Sequence, residues 1–261
     1  MPSPARTLLL AFVSAWFLLG GLGHFVFTDF FVGIVPPYVP WPLAAVWVSG
    51  VFELLGAAAL LHHLRGGDNE QHWTLHLASK SVALRSVRAG SGFYAEMDQG
   101  RAEFGATPDA GTCRWFAEAF SLSANDLSGH PPRVVSTGLP YLLLPVTAEA
   151  LGRARQVNDL QEALDKLGAA FVYLLDVDGR EGRTWDNLGL VEDVATGSAA
   201  GPVAAYLVEY GLAARGEPFV LHQGRFLDRP SRLDVQVATD GSVRVGGHVQ
   251  LLARAELLTS A

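Results

Sequence analysis

Two acidic residues and a hydroxyl-containing turn stand directly before an alanine-rich run in the stretch EDVATGSAAGPVAAYL, Glu192 to Leu207. The run predicts a helix over Ala199–Tyr210, with Thr196 or Ser198 as its N-cap and Gly211 at its C-terminal end. This arrangement brings two carboxylates and two hydroxyls to the start of one helix.

Such a helix start can bind a small polar ligand. Free backbone N–H groups at a helix N-terminus favour anions, and Gly197 lets a ligand approach the backbone closely. Asp193, just outside the helix, could accept or hold a proton or bind a substrate amine. We therefore predict that Asp193 and Ser198 face the same ligand. An ordinary capped helix after a loop would explain the same residues without one.

A second candidate motif is HQGRFLDRPSRLDV, His222 to Val235. The Gln-Gly pair at a strand end, with Gly224, could supply backbone donors, and Arg229 a guanidinium for a carboxylate. A strand–turn–strand unit with surface charges is the alternative.

Taken together, these two motifs and the segments around them resemble the sequence pattern of a known enzyme family. The patterns EDxATGSAAGPxAAYL, QGxxxxRPSRLxV and VxVGGxVQLLARAEL resemble the PhzF-like isomerase family of phenazine biosynthesis, over about His72 to Leu258. VVSTGLPYLLLPV also looks like the segment where the second lobe of that family begins.

The resemblance implies an α+β fold of the diaminopimelate-epimerase-like, two-lobed kind, with the site in the cleft between the lobes. It implies a shift of a proton and a double bond in a small cyclic acid, without cofactor or metal. By this resemblance Asp193 and Ser198 are catalytic, and four residues bind substrate: Thr196, Gly197, Gly224 and Arg229. Members of the family often dimerise, so the resemblance suggests a homodimer, and the sequence leaves the oligomeric state open.

The chain departs from the family pattern in front of these motifs. Val194 stands where the family usually has Pro, and the GNPAAV, SETAF and CGHAT patterns of the first lobe are missing. Glu96 and Glu103 do not lie in matching context. The first lobe is therefore expected to be incomplete. Another carboxylate facing Ser198, such as Glu96 or Glu192, would favour catalysis, whereas an Asp193 open to solvent would not.

The first quarter of the chain is strongly apolar. Thr7–Gly23 carries no charged residue, and Trp41–Leu61 carries only Glu53. A spanning helix needs about 20 apolar residues, so the segment predicts a two-helix transmembrane hairpin in contact with membrane lipid. The few basic residues flanking it place both termini in the cytoplasm, at the inner membrane. A cleaved leader or an apolar hairpin outside the membrane is the alternative.

The same segment resembles the first half of a DoxX-like small membrane protein, from about Thr7 to Leu61. Four features of that pattern recur: His24, Pro36-Pro37-Tyr38, Ser49-Gly50 and Glu53. An intramembrane carboxylate is a functional candidate by default. A Glu held by a neighbouring helix is the plainer interpretation.

Domain organisation follows from composition. We predict a membrane segment at 1–64, a polar linker at 65–71 and a PhzF-like domain at 72–261, divided into a first-lobe remnant (72–132) and a second lobe (133–261). AFVYLLDV predicts a buried strand, Gly168 ends a helix, and Asp240-Gly241 predicts a tight hairpin.

Composition also excludes some functions. The net charge of −7 and the lack of a Lys/Arg-rich stripe argue against nucleic acid. The single cysteine, Cys113, excludes a Zn–Cys site and a dithiol motif. Four histidines follow the second apolar segment, His62, His63, His72 and His76, and we predict no metal site there.

Three functions stay open. One is a membrane-tethered isomerase, whose activity depends on a substitute for the missing Glu. Another is a catalytically dead fusion or binding remnant. The third is a DoxX-like membrane protein with a cytosolic appendage.

Overall fold

The computed structural model describes residues 42–66, 69–76 and 81–252, and within these ranges the side chains from residue 54 onward except at residue 76. The described residues form five α-helices: α1 (Pro42–Arg65), α2 (Ala110–Ala119), α3 (Ala148–Arg153), α4 (Gln161–Leu167) and α5 (Gly197–Glu209). Two short 3₁₀ turns lie at Ala124–Asp126 and Arg225–Leu227.

Eleven strands accompany these helices in the described residues. They are β1 (Glu70–His76), β2 (Ser81–Ala89), β3 (Gly92–Arg101), β4 (Glu103–Phe104), β5 (Arg133–Ser136), β6 (Pro140–Val146), β7 (Phe171–Asp176), β8 (Glu181–Arg183), β9 (Phe219–Gln223), β10 (Ser231–Val237) and β11 (Ser242–Val249).

All these strands belong to one sheet, in the order β1-β2-β3-β11-β10-β9-β8-β7-β6-β5-β4. The pairs β6–β7 and β8–β9 are parallel and the others antiparallel. Only Ala102 separates β3 from the edge strand β4, so the sheet between them curves back on itself. The predicted α+β class is confirmed, and the sheet is mixed.

Helix α5 lies inside this curve. Its residues from Gly197 to Leu207 are all buried, and they share a core with the inward side chains of β5, β6, β7, β9, β10 and β11. A helix that is apolar all round needs neighbours on every side, and the curved sheet supplies them. The start of α5, where the candidate site lies, is therefore fixed by the centre of the fold.

A second core covers the other face of β6 and β7. Leu142 and Leu144 of β6 pack with Val172 and Leu174 of β7 beneath α2, α3 and α4, whereas Tyr141 and its neighbours two residues apart face α5. A strand covered on both faces is expected to be apolar throughout. The prediction of a buried strand in AFVYLLDV is thus confirmed.

The second apolar segment of the sequence forms α1, and its C-terminal half packs against the sheet. Leu54, Leu55 and Ala58 share a small core with Leu84 and Met97, among others, of β2 and β3. Within the described residues, no helix is both long and apolar enough to cross a membrane. The predicted transmembrane hairpin is therefore not supported, because apolar side chains that suggested lipid contact cover a sheet instead.

Several other predictions for the first quarter of the chain concern residues that the structure does not describe. Thr7–Gly23, His24 and Pro36-Pro37-Tyr38 lie outside the described residues, as do the side chains of Ser49 and Glu53. The histidines that follow are placed apart. His62 is buried with its Nδ1 3.0 Å from Ser86 Oγ, whereas His63 is exposed and His72 lies beside Glu70 on strand β1. The side chain of His76 is not described.

The predicted limits at 64/65 and 71/72 fall inside α1 and β1, whereas the division at 132/133 lies directly before β5. The linker at 65–71 overlaps the last residue of α1 and the first residues of β1. Across the predicted division at 132/133, β4 pairs with β5, and β3 pairs with β11.

We predict that Leu54→Ala lowers the free energy of unfolding by about 2–5 kcal/mol, because Leu54 is 2% exposed in its core. Urea denaturation of the full-length protein in detergent would measure it. His63→Ala changes an exposed residue of the same helix and should cost less than about 1 kcal/mol. Equal, small effects for both would show that α1 does not pack on the sheet.

Candidate active site

The candidate site begins at the entry to α5. Thr196 is the N-cap residue, and its backbone C=O accepts from the N–H groups of Ala199 and Ala200. Its hydroxyl is not used to cap the helix. Instead, Thr196 Oγ1 donates to Asp193 Oδ2 over 2.6 Å. The predicted helix is confirmed with a start two residues earlier, and the hydroxyl is committed to the carboxylate.

Asp193 is half-buried and held at three points. Its side chain accepts from Thr196 at Oδ2 and, over a longer 3.4 Å, from Ala195 N–H at Oδ1. Its backbone N–H donates to Thr184 O. The carboxylate is therefore oriented, neither open to solvent nor enclosed.

Ser198, the second predicted catalytic residue, is buried beside a tyrosine. Its Oγ lies 2.8 Å from the hydroxyl of Tyr141 on β6. Burial raises the pKa of the Tyr141 hydroxyl strongly; the hydrogen bond with Ser198 lowers it in part, and the charge of Asp193 raises it. Tyr141 therefore stays neutral and is a hydrogen-bond partner of the Ser198 hydroxyl. The sequence pattern missed Tyr141, since a tyrosine in the apolar run YLLLPV has the features of an ordinary core residue.

Gln223, the last residue of β9, joins the two predicted motifs. Its Nε2 donates to Asp193 O over 2.8 Å and to Thr196 Oγ1 over 2.9 Å. Its Oε1 accepts from Thr196 N–H and from the hydroxyl of Tyr173, each over 3.2 Å. The Gln-Gly pair was predicted to supply backbone donors, but the structure shows the Gln side chain making the connection.

Gly224 allows this connection. Its φ is +81°, and a Cβ at this position would lie 2.4 Å from Arg229 O and 2.6 Å from Val194 O. Only glycine fits between two backbone oxygens in a left-handed conformation. The predicted site residue Gly224 thus brings the loop after β9 against the loop before α5.

Arg229 makes its described hydrogen bonds through the backbone. Its N–H donates to Gly224 O, and its C=O accepts from Ser231 Oγ. The residue as a whole is exposed. The structure therefore places Arg229 on the turn beside the site, and a substrate contact for its guanidinium stays a prediction.

Gly197 and Gly201 let β3 approach the helix. Gln99 of β3 donates from Nε2 to Gly197 O over 3.1 Å and accepts from Thr137 Oγ1. A Cβ at Gly201 would lie 2.1 Å from Gln99 Oε1. Gly197, predicted as a point of ligand approach, is buried and contacts Gln99 through its carbonyl. No sequence motif pointed to Gln99, because it lies 98 residues before Gly197.

The two other carboxylates considered as partners are held elsewhere. Glu192 forms a bidentate ion pair with Arg183, with both N–O distances 2.7 Å, and both side chains are under 10% exposed. Glu96 lies 3.4 Å from Arg85. Asp193 is thus the one of these three carboxylates that the described structure holds at the start of α5, through Thr196.

The loop leading to Asp193 is shaped by a buried acid. Asp186 Oδ1 accepts from the N–H groups of Leu190 and Val191, and Asp186 is fully buried. Burial raises the pKa of this carboxyl. The guanidinium of Arg183 packs over the rings of Trp185 and Phe226, and its Nη1 donates to the carbonyls of α3 and its C-cap. These contacts fix both ends of the loop.

The fold is a curved mixed sheet around a central helix, and the site holds an oriented carboxylate and a buried hydroxyl at the start of that helix. The chain belongs to the phenazine biosynthesis-like protein family, PhzC-PhzF, whose model matches residues 104–254, more than half of its 261 residues. The predicted resemblance to this family is thereby confirmed, and a DoxX-like segment is not supported.

Three similar proteins illustrate the relationship. A solved structure of a predicted epimerase from Pseudomonas aeruginosa is 99% identical over 80% of this chain and 74% of its own, with a TM-score of 0.75. An uncharacterized isomerase of Clostridium acetobutylicum is 26% identical over 62% of this chain, which spans only 59% of that relative. Trans-2,3-dihydro-3-hydroxyanthranilate isomerase of Pseudomonas fluorescens is 45% identical over 56 residues, covering 19% of this chain and 20% of that enzyme.

Proposed function

We propose that this protein is a PhzF-like isomerase that moves a proton, and with it a double bond, within a small unsaturated cyclic acid. The observation that carries the proposal is the Thr196–Asp193 hydrogen bond at the start of α5. It holds a half-buried carboxylate in a fixed direction at the positive end of a buried helix, whose first turn contains Ser198.

Some of these residues bind the substrate, and Asp193 transfers the proton. Ser198, held by Tyr141, hydrogen-bonds the carboxylate of the substrate, and the helix dipole favours that anion. The loop through Gly224 and Arg229 closes the other side of the site and supplies the guanidinium. Asp193 exchanges the proton. The chemistry needs an oriented base rather than a cofactor or metal.

One carboxylate is sufficient for this shift if the proton leaves and returns on the same face of the ring. Asp193 takes the proton from one carbon, and the electron pair moves along the conjugated system. The carboxyl proton can exchange with solvent because Asp193 is half-buried, and a proton, or in D₂O a deuteron, is then delivered to the carbon at the end of that system. Because Glu96 and Glu192 are engaged with Arg85 and Arg183, we assign both halves of the transfer to Asp193.

The direct test is isotope exchange in D₂O. The full-length protein would be incubated with trans-2,3-dihydro-3-hydroxyanthranilate and with related cyclohexadiene carboxylic acids, and proton NMR would follow isomer formation and deuterium incorporation. We expect isomerisation with at least one of these acids. Ser198→Ala should raise KM more than it lowers kcat. Saturable binding without exchange would instead support the binding-protein alternative, and neither binding nor exchange would reject both.

Three further expectations belong to this proposal. Location at the inner membrane, with the C-terminal domain in the cytoplasm, stays a prediction. So does a homodimer. The two-lobed arrangement, with the substrate cleft between its lobes, is likewise proposed from the family resemblance.

A further inference from the structure

The orientation of the Gln223 side-chain amide is fixed by two backbone groups that cannot exchange roles. The N–H of Thr196 can only donate, so the atom 3.2 Å from it must be the amide oxygen. The C=O of Asp193 can only accept, so the atom 2.8 Å from it must be the amide nitrogen. A flipped amide would break both hydrogen bonds.

This orientation determines where the proton of the Thr196 hydroxyl points. The second N–H of the Gln223 amide donates to Thr196 Oγ1 over 2.9 Å. Since Thr196 Oγ1 already accepts there, its own proton is available for Asp193 Oδ2, 2.6 Å away. Donation therefore runs in one direction, from Gln223 through Thr196 to the carboxylate.

Tyr173 completes the set of partners around Gln223. Its hydroxyl donates to Gln223 Oε1 over 3.2 Å, and burial raises its pKa so strongly that it keeps this proton. Gly182 of β8 makes room for the tyrosine ring, because a Cβ there would lie 1.9 Å from it. Gln223 is 1% exposed, and both of its amide protons and its amide oxygen are engaged.

We propose that Gln223 is a positioning residue that decides which oxygen of Asp193 transfers the proton, an inference that rests on the isomerase function proposed above. By directing the Thr196 hydroxyl to Oδ2, it makes that oxygen a permanent acceptor. Oδ1, whose described hydrogen bond is the longer one from Ala195 N–H, is left to take the substrate proton and return it. Oδ1 is neutralised by the first transfer and charged again by the second, so protons and electrons balance.

The test uses a variant of the same shape that reverses the direction of donation. The carboxylate introduced by Gln223→Glu has no N–H to give, so the Thr196 hydroxyl donates to it and leaves Asp193. We expect kcat to fall about 10²-fold with little change in KM, as for a displaced catalytic group. Tyr173→Phe leaves Thr196 N–H to hold the amide in place, and should stay within about threefold of the unchanged protein.

A measurement that needs no activity separates this inference from the proposed function. In a perdeuterated full-length protein returned to H₂O, the Thr196 hydroxyl proton should give a downfield, slowly exchanging NMR signal, because it is enclosed between Gln223 and Asp193. The signal should vanish in Thr196→Val, move in Gln223→Glu, and persist in Thr196→Ser and Tyr173→Phe.

Each outcome decides the inference. If the unchanged protein shows no such signal, or Gln223→Glu leaves it in place, Gln223 does not orient the hydroxyl. If Gln223→Glu does not fold in a thermal melt, the Thr196→Ser and Thr196→Val pair decides, since kcat should survive only in the former. If no acid is isomerised but the signal behaves as expected, the proposed function fails while the directed hydrogen bonds stand.

Discussion

Asp193→Asn should slow deuterium incorporation and isomerisation by about 10²–10⁴-fold, the usual contribution of a positioned acid/base group. Asparagine keeps the shape of the side chain, and its amide oxygen can still accept from Thr196 Oγ1. The variant should therefore fold and bind substrate normally, and the loss should fall on kcat. Proton NMR in D₂O measures the rate, and a thermal melt checks the fold.

The matched control for this variant is Asp165→Asn. Asp165 lies exposed on α4, where its carboxylate accepts from Gln161 Nε2, so the substitution changes the same charge away from the site. Its rate should equal that of the unchanged protein. An Asp193→Asn rate within a few-fold of the control would remove Asp193 from the proposed mechanism.

Arg183→Met should lower the free energy of unfolding by about 3–5 kcal/mol, the cost of breaking a buried ion pair from one side. The side chain of Glu192 is 8% exposed and would remain charged without its bidentate partner. The carbonyls of Leu151 and Ala154 would lose their donor as well. Methionine retains the packing against Trp185 and Phe226, so lost charge rather than lost volume is measured.

Two further variants, compared by urea denaturation of the full-length protein, show whether this loss of stability comes from the isolated charge of Glu192. Adding Glu192→Gln to Arg183→Met removes the isolated charge and should restore much of the stability, because neutral replacements of buried pairs are often tolerated. Arg232→Met breaks an ion pair with Asp234 in which the arginine is 63% exposed, and should cost less than about 1 kcal/mol. Equal costs for the two arginines would mean that the Arg183–Glu192 pair behaves as a surface pair.

Loss of the Arg183–Glu192 ion pair should also affect the candidate site, because Glu192 directly precedes Asp193. If Arg183→Met loosens the loop before α5, its kcat should fall even under conditions where the variant is folded. The double variant should recover stability before it recovers rate, since the neutral pair packs but no longer fixes the loop as tightly. If stability recovers before the rate does, the structural role of the Arg183–Glu192 pair is distinguished from the catalytic role proposed for Asp193.

The sequence by itself determined the features that depend on neighbouring residues. The helix after the TGS turn, the end of α4 at Gly168 with its left-handed φ of +66°, and the hairpin at Asp240-Gly241 all lie where predicted. Each rests on a local rule of backbone conformation or capping. The family resemblance came from the same local motifs, and Asp193, Ser198 and Gly224 were named from them.

Only the tertiary structure decided which distant side chains complete the site. Tyr141 is 57 residues from Ser198, and Gln99 is 98 residues from Gly197, so their contacts exist only once the sheet has curved around α5. It also decided the environment of α1, which the sequence placed in a membrane. An apolar helix has the same composition whether lipid or a sheet covers it, and only its packing on β2 and β3 distinguishes the two.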